Sequence, residues 1–155
     1  MRGAYRVLAS LLALEVIIQA AAVVYGVFGL ANYVDDGHTI TAQDFEENSD
    51  LSFSGLGGLI LHGMNGMMII PLIALLLLIV SFFAKVKGGI ITAVALVLLV
   101  VLQIVLGIAS HSIEQLGPLH AVNAFLILGG SIHAARAARK VEVVVVERPA
   151  ETTTA

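Results

Sequence analysis

Four long apolar stretches constrain this chain more than any other feature. Each is about the length a helix needs to cross a ~30 Å hydrocarbon core at about 1.5 Å per residue. They fall at about 7–30, 56–83, 90–110 and 118–138. With 155 residues, 59% hydrophobic and 12% charged, and a mean hydropathy of +1.00, the chain lies outside the range of soluble domains. The expected fold is all-α: an integral-membrane antiparallel four-helix bundle whose solvent is the lipid bilayer. Residues 1–139 form its transmembrane domain, and 140–155 a mobile cytoplasmic tail. The first apolar stretch runs too long for a signal peptide and has no small-residue cleavage site after it, so it reads as a span.

Charge sets the expected topology. Arg2, Arg6, Lys85, Lys87, Arg136, Arg139 and Lys140 flank one end of the spans, and Asp35, Asp36, Asp44, Glu46, Glu47 and Asp50 fill the first long connection. Under the positive-inside rule both termini are cytoplasmic, which suits a multi-pass protein of a bacterial plasma membrane. In that connection Asp36-Gly37 is a turn signal, and Thr41-Ala42-Gln43-Asp44 has the form of a capping box opening a short surface helix through Asn48. A net charge of −3 without a basic stripe gives no support to nucleic-acid binding. Cysteine is absent, which rules out disulfides, iron–sulfur clusters, thiolate haem ligation and covalent CxxCH attachment.

Polar residues inside the spans are therefore informative. Two phrases rhyme: Leu61-His62-Gly63-Met64-Asn65 and Leu119-His120-Ala121-Val122-Asn123. Gln19 in the first span matches Gln103 in the third, so the two hairpins read as a parallel internal repeat about a pseudo-twofold axis along the membrane normal. The glutamines lie ~20 Å from the inner end of their spans, and the histidines within ~10 Å of the outer surface. All four converge on the outer half. Glu15 shares a helix face with Gln19 and needs a partner or a proton at its depth; His133 or Arg136 is the expected partner. Pro71 is expected to kink the second span.

Two equal-depth histidines on alternate helices would flank a central cavity, where bundles hold haem. The reading is bis-histidine ligation by His62 and His120, with Gln19, Gln103, Asn65 and Asn123 as donors around the cofactor and Gly63 and Gly66 giving it room. A bare zinc or iron site would need further ligands that this depth does not offer. The structural alternative is that both histidines only bond across helices. His38 and His111 read as solvated loop residues. No helix-2 histidine stands at the depth of His133 to complete a second haem site.

The segment Leu102-Gln103-Ile104-Val105-Leu106-Gly107, followed by a loop and Pro118-Leu119-His120, resembles the corresponding hairpin of haem A synthase. Each four-helix half of that enzyme carries one histidine on its second and fourth helices. The resemblance covers the four helices and implies one haem b per chain. The chain is also similar to uncharacterised four-span bacterial membrane proteins with the LHxxN phrase. Haem A synthase has a glutamate three residues before its helix-2 histidine, commonly an arginine after it, and in many members a cysteine pair in the first outer loop. Here Leu59 and Gly63 occupy the first two positions, so haem-methyl oxidation is not carried over and no catalytic residue is assigned.

The resulting expectation is a membrane b-type cytochrome, for electron transfer or haem handling. A quinone or membrane redox partner and homo- or hetero-oligomers remain open, and a non-enzymatic role is favoured. Two alternatives stand beside it: a haem-free subunit that stabilises a larger complex, and a small transporter using Glu15.

Overall fold

The structure is a computed structural model describing residues 1–45 and 50–139. It contains α1 (Arg2–Asp35), α2 (Leu56–Ala84), α3 (Gly89–Ala109) and α4 (Gly117–Ala137), with 3-10 turns at Ala42–Phe45 and Glu114–Leu116. Among the described residues there is no strand. The expected tail, 140–155, and the expected end of the surface helix at Asn48 lie outside the described residues.

Local chemistry explains the boundaries. α1 outruns the expected 7–30 at both ends because Ala31–Val34 holds no glycine or proline and the only weak helix former in Arg2–Arg6, Gly3, sits in the first turn. It stops at Asp36-Gly37, where Gly37 takes φ +89° and the Asp36 N–H bonds back to Asn32 O. At 34 residues it is about 50 Å long. α2 begins after Gly55 (φ +102°) and is followed by Lys85 (φ +50°) and Gly88 (φ +72°), which turn the chain into α3. A non-glycine residue in this left-handed region costs roughly 1 kcal/mol. Pro71 lies inside α2, which continues as one helix through it; its missing N–H leaves the Met67 carbonyl without its helical donor. At the surface turn, the Thr41 N–H and hydroxyl both donate to Asp44 Oδ2, at 2.6 and 2.8 Å.

α1 packs on α2 and α4, and α3 packs on the same two helices. The buried residues follow steps of three, four or seven: Tyr5, Ala9 and Leu12 on α1, Ala74, Leu77 and Ala84 on α2, Ala93, Leu96 and Val100 on α3, Ile127 and Ala134 on α4 with Ala138 at its cap. That spacing keeps one narrow seam of each helix inward. The apolar core occupies the end that carries the basic residues. There Tyr5 Oη, fully buried, donates to the Gly89 carbonyl at 3.1 Å. Toward the other end the same seams carry Gln19, His62, Asn65, Gln103, His120 and Asn123.

The outward faces are apolar: Phe28, Met68, Leu72, Phe83, Ile91, Leu98 and Phe125 are all exposed. α1, α2 and α3 are each long and apolar enough to cross a membrane. α4 has the same 21 residues as α3, but His120, Asn123, Ser131, His133 and Arg136 make it more polar.

At the end remote from the basic residues α1 and α2 cross through glycine. A Cβ added at Gly29 would stand 1.6 Å from Ser54 O, and one at Gly58 would stand 2.5 Å from Ala22 O. No side chain fits at either position, so backbone meets backbone, as small residues allow between membrane helices.

Candidate functional site

His62 and His120 lie together, on α2 and α4, with ring centres 6.1 Å apart and planes at 61°. Both rings are half-buried. His62 Nδ1 lies 3.2 Å from the Gln19 carbonyl oxygen on α1. His120 Nδ1 lies 3.0 Å from the Gln103 carbonyl oxygen on α3.

A carbonyl oxygen can only accept, so in the neutral rings each Nδ1 carries the proton and donates it. Each Nε2 is then left with its lone pair free. That is the tautomer of an imidazole ligand, with the far nitrogen anchored and the near one available.

The ring spacing can be tested against a metal held between them. Two bonds of about 2 Å each, plus roughly 1 Å from each ring centre to its nitrogen, span about 6 Å. The ring centres are separated by a distance of that length, 6.1 Å, with the rings edge to face at 61°. A bare ion would want more ligands than two imidazoles. Among the described residues no group of three or more His, Cys, Asp or Glu side chains could hold one. The donor set therefore suits a metal that brings its own equatorial ligands, as haem does.

The amides below the rings differ between the two hairpins. Asn123 Nδ2 donates to Gln103 Oε1 at 2.7 Å and to the Leu99 carbonyl at 2.9 Å. Asn65 Nδ2 instead donates to Glu15 Oε2 at 2.7 Å. Glu15 and Leu99 each stand four residues before their glutamine, so the first hairpin has a carboxylate where the second offers a backbone carbonyl. Gln19 is left with buried Nε2 and Oε1 that have no protein partner. Unmatched buried polar atoms cost about 1–3 kcal/mol each.

Glu15 thus meets Asn65 and not His133 or Arg136 as expected. The registry of α1 on α2 brings Asn65 to the carboxylate, while His133 and Arg136 are exposed. The two glycines also part company. A Cβ on Gly66 would approach Gln19 Nε2 to 3.3 Å, whereas Gly63 is exposed and faces open space.

Gly107 is a contact residue that sequence reasoning quoted without giving it a role. A Cβ there would stand 3.1 Å from His120 Cε1. The signal was present: Gly107 follows Gln103 by four residues and so shares its helix face. The Gly107 carbonyl also accepts from His111 Nδ1 at 3.0 Å. His38 is exposed in the first connection, stacked on Tyr33 at 4.2 Å and 16°.

No family model matches the chain, and no curated protein or solved structure matches it.

Proposed function

We propose that this chain is a four-span membrane b-type cytochrome of a bacterial plasma membrane. In this reading it is an antiparallel four-helix bundle of two repeated hairpins, with both termini cytoplasmic. Its ligands to one haem b are His62 and His120, each through Nε2. The observation that carries the reading is the matched tautomer: two imidazoles 6.1 Å apart, each with its Nδ1 proton on a backbone carbonyl. The polar face of the orphaned Gln19 amide supports it.

Haem held by two imidazoles supplies a one-electron couple with no open coordination position, which favours moving electrons or carrying haem over activating oxygen. The chain's own residues do the holding. Gln19 O and Gln103 O fix the ring orientations, Gly107 admits the His120 ring, and Gly66 leaves room beside Gln19. A quinone or a membrane redox protein is the partner class for such a site, and the apolar outer faces leave room for oligomers.

A haem-free reading is favoured by one observation. The Asn65–Glu15 and Asn123–Gln103 bonds clamp helices without a cofactor, as a stabilising subunit of a larger complex would need.

Reduced-minus-oxidised absorption of detergent-purified protein from haem-replete cells separates the two. A sharp low-spin b-type spectrum, lost in His62→Ala and in His120→Ala, is the expected result. Colourless protein that copurifies with a partner would establish the subunit reading instead.

A further inference from the structure

At the end remote from the histidines, α1 and α4 enclose a groove of about 270 Å³. Arg6 and Ser10 enter from α1, and Arg136 and Arg139 from the end of α4, over a floor that includes Ala13. No carboxylate lines it. Three arginines from two helices line a common space, and guanidinium is the side chain that takes phosphate oxygens bidentately.

A second groove adjoins the first. It shares Arg6 and Ser10 and continues along Val7, Leu11 and Leu14, residues spaced three and four apart on the outer face of α1. Val7, Leu11 and Leu14 are all exposed. A polar pocket that opens onto an apolar track along a membrane-facing helix matches a molecule with an anionic head and an acyl chain. It is a poor match to a free ion. The unpaired N–H groups of the first turn of α1 add positive potential at the same end.

We infer that the groove between α1 and α4 is a binding site for the phosphate of an anionic phospholipid, gripped by Arg6, Arg136 and Arg139, with an acyl chain along Val7, Leu11 and Leu14. Basic pockets between membrane helices take lipid headgroups in this way. The site lies about 24 Å along α4 from His120 and does not depend on haem. It would seat a structural lipid against the one helix that is less apolar than its neighbours.

The test uses full-length protein in nanodiscs of phosphatidylcholine doped with phosphatidylglycerol, extracted gently and weighed by native mass spectrometry. One retained phosphatidylglycerol per chain is expected, at least about tenfold enriched over phosphatidylcholine at equal mole fraction. The triple variant Arg6→Ala/Arg136→Ala/Arg139→Ala should lose that enrichment. Lys85→Ala/Lys87→Ala, at the same end but outside the groove, should keep it. A charge-conserving triple change to lysine guards against misfolding: it should stay helical and retain less lipid than wild type. Millimolar inorganic phosphate should not displace the lipid; displacement would identify a free-phosphate site and overturn the lipid assignment. Equal retention of both lipids by wild type, or equal loss in the lysine-pair and arginine-triple variants, would overturn the site altogether.

Discussion

The carboxylate of Glu15 accepts a 2.7 Å hydrogen bond from the side-chain amide of Asn65, joining α1 to α2 one helical turn below the His62 ring. Both side chains are at least half-buried. The bond therefore sits where water cannot easily replace it. Glu15→Gln retains an acceptor oxygen and should leave thermal stability in detergent close to wild type. Glu15→Leu strands the Asn65 donor and should cost about 1–2 kcal/mol, read as a lowered midpoint in a melt followed by circular dichroism.

The His120 ring needs the missing side chain of Gly107. Gly107→Ala places a methyl 3.1–3.2 Å from Cε1 and Nδ1, so the ring must give by a few tenths of an ångström against its contact with the Gln103 carbonyl. On the haem reading, Gly107→Ala should retain several-fold less haem than wild type. Gly63→Ala faces open space and should match wild type. Pyridine haemochrome content of the purified variants measures both.

The glycine crossing of α1 and α2 should be intolerant of any Cβ. Gly29→Ala drives a methyl into Ser54 O, and the helices must separate to admit it. The variant should melt well below wild type. Gly57→Ala, one position from Gly58 but with nothing within 4 Å, should be neutral or gain up to about 1 kcal/mol from helix propensity. Comparing the two melts isolates close approach from a general glycine effect.

The surface turn should respond to acid. Hydrogen bonds from the Thr41 backbone and hydroxyl hold the Asp44 carboxyl below its ordinary value. A depressed carboxylate contributes its stabilisation above the ordinary pKa and loses it as pH falls through the lowered one. The Thr41 amide resonance should therefore stay fixed through the usual carboxylate range and shift only at lower pH. Thr41→Val removes the hydroxyl donor and should raise the Asp44 midpoint toward the ordinary value.

Much of this arrangement was legible because membrane helices declare themselves by length. Leu56–Ala84, Gly89–Ala109 and Gly117–Ala137 begin and end within a residue of where the apolar runs do. α1 outruns its apolar run, because its C-terminal end is set by the Asp36-Gly37 turn and its N-terminal end continues through the basic residues. The histidines could be paired in advance, since equal depth follows from counting along each span. The amide partners could not. Whether Asn65 meets Glu15 or Gln19 depends on the register of α1 against α2, and that is decided by Gly26, Gly29, Gly55 and Gly58 packing without side chains. The same holds for the two glycines near His62. Both are neighbours in the chain, but only Gly66 lies on the side of α2 that looks toward Gln19.

The hydroxyl of Tyr5 finds its acceptor at Gly89, on a segment made much later in synthesis. The opening turn of α1 shares its core with Leu77 and Ala84 of α2, yet its one buried hydroxyl has no acceptor until the start of α3 is in place. Insertion and closure are thus separate events in the life of this chain.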